Sequence, residues 1–224
     1  MQIKFEGGDA IKNPDLMPVI PYNGKGITTY GNVVIEDGIA TGFDGNTSYL
    51  KADLGFNFNN LDGIMNTTQI LWQVKYRIKD SKNPKYIIKC DNILSRYNIP
   101  SPSIEVSDGH TYNIYITNYN DYLRDHNFYQ RIGTPFNTDW RILQVFMQKG
   151  KTSWGGDCVN GILKILDSNN TILSNVSHQI SSYKGLGSTT YFLFNDSGVS
   201  HIDLNETFIK RLDTNEVLTQ WIRK

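Results

Sequence analysis

The chain has 224 residues, long enough to bury a sizeable core, and its 22 basic and 22 acidic side chains cancel to a formal net charge of zero. A neutral balance, with no Lys/Arg run longer than two, argues against a nucleic-acid partner held by a basic surface. There are only three alanines (Ala10, Ala40 and Ala52) against abundant Asn, Ile, Tyr and Gly, a balance that favours strands and turns over helices.

No stretch approaches the roughly 18 apolar residues of a membrane span, so no membrane insertion is expected. The opening MQIKFEGGDAIKN has no basic segment followed by an apolar one, so no secretory signal is expected either. Residues 1–31 are rich in Gly and Pro, and Pro14, Pro18 and Pro21 interrupt any regular element. Leu16–Ile20 is apolar. The segment reads as an edge strand or as an arm that docks on a partner, and both remain open.

From residue 32 onward the pattern is of strands. Val33–Ile35 and Ile39–Thr41 flank Glu36-Asp37-Gly38, and an Asp-Gly between apolar runs predicts a hairpin. Phe43-Asp44-Gly45 then turns the chain into Ser48–Lys51. Gln69–Lys79 alternates with period two: Ile70, Trp72, Val74, Tyr76 and Ile78 on one face, and polar residues on the other with Leu71 as the exception. It predicts a strand with one core face and one wet face.

Tyr86, Ile88 and Cys90 repeat the alternation, as do Tyr112, Ile114 and Ile116, with a shorter strand at Ile104–Val106 between them. Tyr119–Asn137 is polar, aromatic and aperiodic. It reads as an insertion, with room for a short helix around Asp121–Tyr129. Asp139–Gln148 is apolar on both faces and predicts a central strand. Gly150–Gly161 reads as a Gly-rich loop, and Ile162–Leu166 with Thr171–Val176 as a hairpin. Thr189–Phe194 is a further strand. The tail reads as an Ile-Asp-Leu step, an Asn-Glu-Thr turn, a strand Phe208–Leu212, a polar turn and a last strand ending on Trp221. About a dozen short strands without a long helix, repeat or linker predict one all-β sandwich or barrel. The tail needs a strand partner, and Val33–Lys51 is the best candidate.

Little in this pattern points to catalysis. No strand offers carboxylates at alternate positions, as glycoside hydrolysis on a sheet requires, and no Gly-x-Ser-x-Gly elbow occurs. The four histidines are scattered. Asp44-Gly45-Asn46 and Asn195-Asp196 could offer oxygens to calcium, but turn residues bonding their own backbone explain them more simply. No cofactor or metal is expected. Cys90 and Cys158 could form one bridge, and buried thiols are the expectation for a chain made in the cytosol. What remains is a recognition surface: Trp154 and Asp157 in the Gly-rich loop, and Tyr119, Asn120, Tyr122 and Tyr129 in the insertion, are aromatic and planar polar groups suited to sugar rings and hydroxyls. The competing reading of each aromatic is a core or subunit contact.

The tail IDLNETFIK, with its later strand ending in Trp221, resembles the ending of concanavalin A-like lectin/glucanase (LamG-type) domains in bacteriophage structural proteins. DGIATGFDGNTSYLK resembles their opening, and Trp72 is in keeping. Together the matches cover about forty residues. The resemblance implies a two-sheet antiparallel jelly-roll sandwich over 32–224 with the terminal strands adjacent, residues 1–31 being an arm or edge segment. It implies a non-enzymatic virion surface protein, as capsid decoration or as a head-fibre or tail-fibre component. Its partners would be other virion proteins and, for an adhesin, a host surface glycan, with a homo-oligomer left open. A bacterial carbohydrate-binding module or glycan-active enzyme of the same fold is the alternative.

Overall fold

The computed structural model describes residues 5–6, 10–11, 19–21, 26–44, 46–57, 59–78, 86–90, 103–107, 111–115, 127–131, 139–181, 191–194 and 199–223. In chain order the elements are β1 (Phe5–Glu6), β2 (Ala10–Ile11), β3 (Val19–Pro21), β4 (Ile27–Thr29), β5 (Val34–Glu36), β6 (Ile39–Thr41) and β7 (Leu50–Asp53). Helix α1 (Asn59–Met65) follows, then β8 (Ile70–Ile78), β9 (Tyr86–Cys90), β10 (Ser103–Ser107), β11 (Thr111–Tyr115) and β12 (Asn127–Arg131). The last third contains β13 (Arg141–Lys151), β14 (Asp157–Asp167), β15 (Ile172–Ser181), β16 (Tyr191–Phe194), β17 (Val199–Arg211) and β18 (Val217–Arg223).

The fold is all-β. Apart from the small β1–β2 pair, the strands form two antiparallel sheets. One runs β12-β11-β10-β9-β16-β7-β4, and the other β15-β14-β13-β8-β17-β18-β3 with β6 and β5 added beside β17. A single core joins them. Ile27, Leu50, Ala52 and Phe194 of the first sheet are buried in one apolar cluster with Trp72, Val74, Tyr76, Val145, Leu163 and Ile209 of the second.

β8 explains the arrangement. Its predicted core face, Ile70 to Ile78, is buried as expected. Its other face is drier than expected, with Leu71 and Gln73 only 5% and 7% exposed. β8 lies between β13 and β17, so long side chains from both neighbours cover it. β13 is likewise central, between β14 and β8, as its two apolar faces require. α1, in a segment where the sequence pattern predicts no element, packs Leu61 and Met65 into the core, with Ile64 against it.

The tail pairs with the opening, as anticipated: His201, Ile202 and Asp203 lie opposite Thr41, Ala40 and Ile39. Val33–Lys51 is nevertheless divided, since β5 and β6 join the tail's sheet while β7 lies in the other. The Asn-Glu-Thr step is not a turn but a bulge inside one continuous strand. The five-residue step from Asp203 to Phe208 faces the two-residue step from Lys75 to Gln73. This extra length lets one edge of β17 change partner, from β6 at His201–Asp203 to β18 at Phe208–Lys210.

Polar groups hold the bulge. The Thr207 hydroxyl donates to the Asp203 carbonyl at 2.7 Å, and the Gln73 carboxamide donates to the Glu206 carbonyl at 3.0 Å. Asn205 Nδ2 donates to the Asp37 carbonyl at 3.0 Å, and the Leu204 amide to the Gly38 carbonyl at 2.8 Å. Asp37 and Gly38 both have positive φ, 49° and 81°, the tight Asp-Gly hairpin. A β-carbon at Gly38 would run into the Asn205 carboxamide. The two sequence stretches are therefore interlocked through one bulge and one turn.

Other expectations need correction. Most of Gly150–Gly161 is strand, and only Thr152–Gly156 forms the tip between β13 and β14. Asn127–Arg131 is a strand paired with β11, so a helix does not extend through Tyr129. Of the apolar run Leu16–Ile20, Val19 and Ile20 belong to β3, which pairs with the end of β18. Cys158 is a buried free thiol.

Candidate functional site

Side chains on alternate positions of β13, β14, β15, β8 and β17 point away from the core and form rows across the larger sheet. In one row Gln148 lies opposite Asn160, and Asn160 opposite Gln179, whose carboxamide donates to Asn160 Oδ1 at 2.9 Å. In the next, Ser177, Ile162, Phe146, Leu71 and Lys210 are cross-strand neighbours. A third has Lys164, Gln144, Gln73, Phe208 and Gln220, with Gln144 Nε2 donating to Gln73 Oε1 at 2.8 Å. The ammonium of Lys164 lies over the Phe146 ring, and that of Lys210 over the Phe208 ring.

A hollow of about 380 Å³ opens on this face, lined by Gln69, Asn160, Gly161, Ile162, Ser177 and Gln179. Gly161, in the core-facing phase between Asn160 and Ile162 and opposite Met147, contributes only backbone to the lining. Amides supply paired donors and acceptors, and Ile162 supplies an apolar floor. Such a lining suits a neutral polyhydroxylated ligand.

The predicted site residues do not converge on this hollow. Trp154 is 81% exposed at the β13–β14 tip. The tip is braced by Thr152, whose amide donates to the Gly156 carbonyl and whose hydroxyl accepts from the Gly156 amide, both at 2.9 Å. Asp157 begins β14 rather than lying in a loop, and pairs with Lys151 at 2.6 Å. That bond, then the Lys151 charge, holds the Asp157 carboxyl below its ordinary pKa. Tyr129 is on β12, an edge strand of the other sheet, opposite Asn113. Tyr119, Asn120 and Tyr122 lie outside the described residues. Of the lining residues, Gln69 had a weak sequence signal, an amide in the outward phase of its predicted strand, whereas Asn160 lay in a stretch that reads as a loop.

Among the described residues no three His, Cys, Asp or Glu side chains cluster as a metal site would. The Asp44 carboxylate is occupied by its own turn. It accepts from the amides of Asn46, Thr47 and Ser48 and from both hydroxyls. Bonds from the Ser48 and Asn46 amides, then from the Thr47 side chain, hold its pKa far below the usual carboxylate range.

Compared with models of known families and with curated proteins, the chain gives no match to either.

Proposed function

We propose that the chain is a concanavalin A-like jelly-roll sandwich acting as a non-enzymatic bacteriophage virion surface protein. It attaches to other virion proteins or, through its outer sheet face, to host glycans. The observation that carries the reading is the lock between the Asp37-Gly38 turn and the Asn205 bulge, because these are the two stretches on which the resemblance rests. The amide-lined hollow adds a surface of suitable chemistry for a saccharide.

The test is co-sedimentation of the full chain with purified phage particles, in parallel with binding to a broad glycan panel and an assay for reducing-sugar release. Saturable, stoichiometric binding to particles supports decoration, and glycan binding without release supports attachment to the host. Sugar release overturns the non-enzymatic reading in favour of a glycan-active enzyme. No binding in either arm overturns the attachment role.

A further inference from the structure

At the end of the outer face remote from the hollow, Trp140, Arg77, His201 and Thr41 form the last row. Arg77 lies opposite His201, and His201 opposite Thr41. The Arg77 guanidinium carbon is 4.6 Å from the Trp140 ring centroid. The His201 ring meets Trp140 edge-on at 5.9 Å, with its Nδ1 2.9 Å from the Ser200 hydroxyl.

Charge accounting separates the two cations over this indole. Lys75, 5.4 Å from the ring centroid, is paired with Asp203 at 3.2 Å and with Glu206. Burial opposes its charge, but the two carboxylates outweigh that and raise its pKa. Arg77 has no carboxylate partner among the described residues, and its Nε–H is buried without an acceptor. The guanidinium is thus short of acceptors within the chain, and the Arg77 side chain is only half-buried, which leaves it open to an acceptor from outside. Burial, and after it the Arg77 charge, lower the pKa of His201.

We propose that Arg77, Trp140 and His201 form an oxyanion site, which takes a carboxylate or phosphate group carried by a ligand lying along the outer face. The guanidinium supplies a planar fork of donors that matches either anion. The indole holds that fork in place, and His201 lines its flank. Gln69 and Arg77 are eight residues apart along one strand direction, roughly 26 Å at 3.3 Å per residue. An acidic saccharide polymer could therefore reach both ends of the face. The anion site does not depend on the virion reading and stands or falls separately from it.

The experiment is a titration of the ¹⁵N-labelled full chain, followed through the Arg77 Nε–H and Trp140 indole signals at constant ionic strength. The three titrants are inorganic phosphate, glucuronate and, as the uncharged control, glucose. Saturable shifts with phosphate or glucuronate and none with glucose are expected, and the stronger of the two anions identifies the source of the charge. Arg77→Ala should abolish the response. Arg77→Lys, which keeps the charge and loses the fork, should weaken it about tenfold, the equivalent of one charge-assisted hydrogen bond. An unchanged Trp72 indole signal in each variant controls for folding. Unsaturating shifts spread over many surface cations would mean an adventitious ion only and would overturn the proposal. So would equal shifts with glucose, no response to either anion, or full affinity in Arg77→Lys.

Discussion

Two residues hold the opening of the sandwich in shape by different means. Gly38 needs its φ of 81° and the space beside Asn205. An alanine there meets both the left-handed penalty and the carboxamide, so Gly38→Ala should cost about 2 kcal/mol, read as a drop in the urea midpoint at unchanged slope. Asp44 works through charge. Its folded pKa lies below the ordinary 3.8, so its stabilisation is fully present above that value. It shrinks as pH falls through the interval and is gone once pH has passed the folded value. Urea midpoints for wild type and Asp44→Asn should therefore differ by a constant amount down to about pH 4 and converge below it. A gap that stayed constant into strong acid would show that the carboxylate charge is not what the turn uses.

At the scale of elements, the bulge in β17 is the piece that joins tail and opening. Thr207 is fully buried, and its hydroxyl donates to the Asp203 carbonyl while lying 3.4 Å from the Lys75 amide. Thr207→Val leaves that carbonyl without its donor, and a loss of about 1–3 kcal/mol is expected in chemical unfolding. An unchanged midpoint would mean that the backbone alone sets the bulge. The bulge also shows where sequence reading stops. Asp37-Gly38 and the alternation of Gln69–Lys79 were legible, because a turn needing positive φ and a two-residue period are local properties. Asn-Glu-Thr looked like a turn because its polar atoms are usually solvated, whereas here the sheet itself satisfies them. α1 left only a faint mark: Leu61, Ile64 and Met65 keep helical spacing, but seven residues containing Gly63 carry little helix propensity.

For the whole molecule, the informative surface is the outer face of the larger sheet. Of its residues only Gln69 and Gln73 were legible as outward-facing amides. Asn160 fell in a stretch that reads as a loop and Gln179 beyond the predicted hairpin strand, and no single strand shows that Gln69, Asn160 and Gln179 surround one hollow, since that depends on register among strands distant in sequence. Trp154 is an aromatic in a Gly-rich stretch and stands at a hairpin tip, whereas the amide lining lies on the sheet itself. The two features can be separated experimentally. Ser177 is exposed and lines the hollow without entering the core, so Ser177→Tyr places a ring in that space. Because the site is on the surface, its unfolding free energy should stay within about 0.5 kcal/mol of wild type. If the hollow is where saccharide binds, glycan binding should fall at least tenfold while co-sedimentation with particles is retained. Trp154→Ala should then leave glycan binding intact. The opposite pattern, with binding lost in Trp154→Ala and kept in Ser177→Tyr, would move the recognition surface from the sheet face to the hairpin tip.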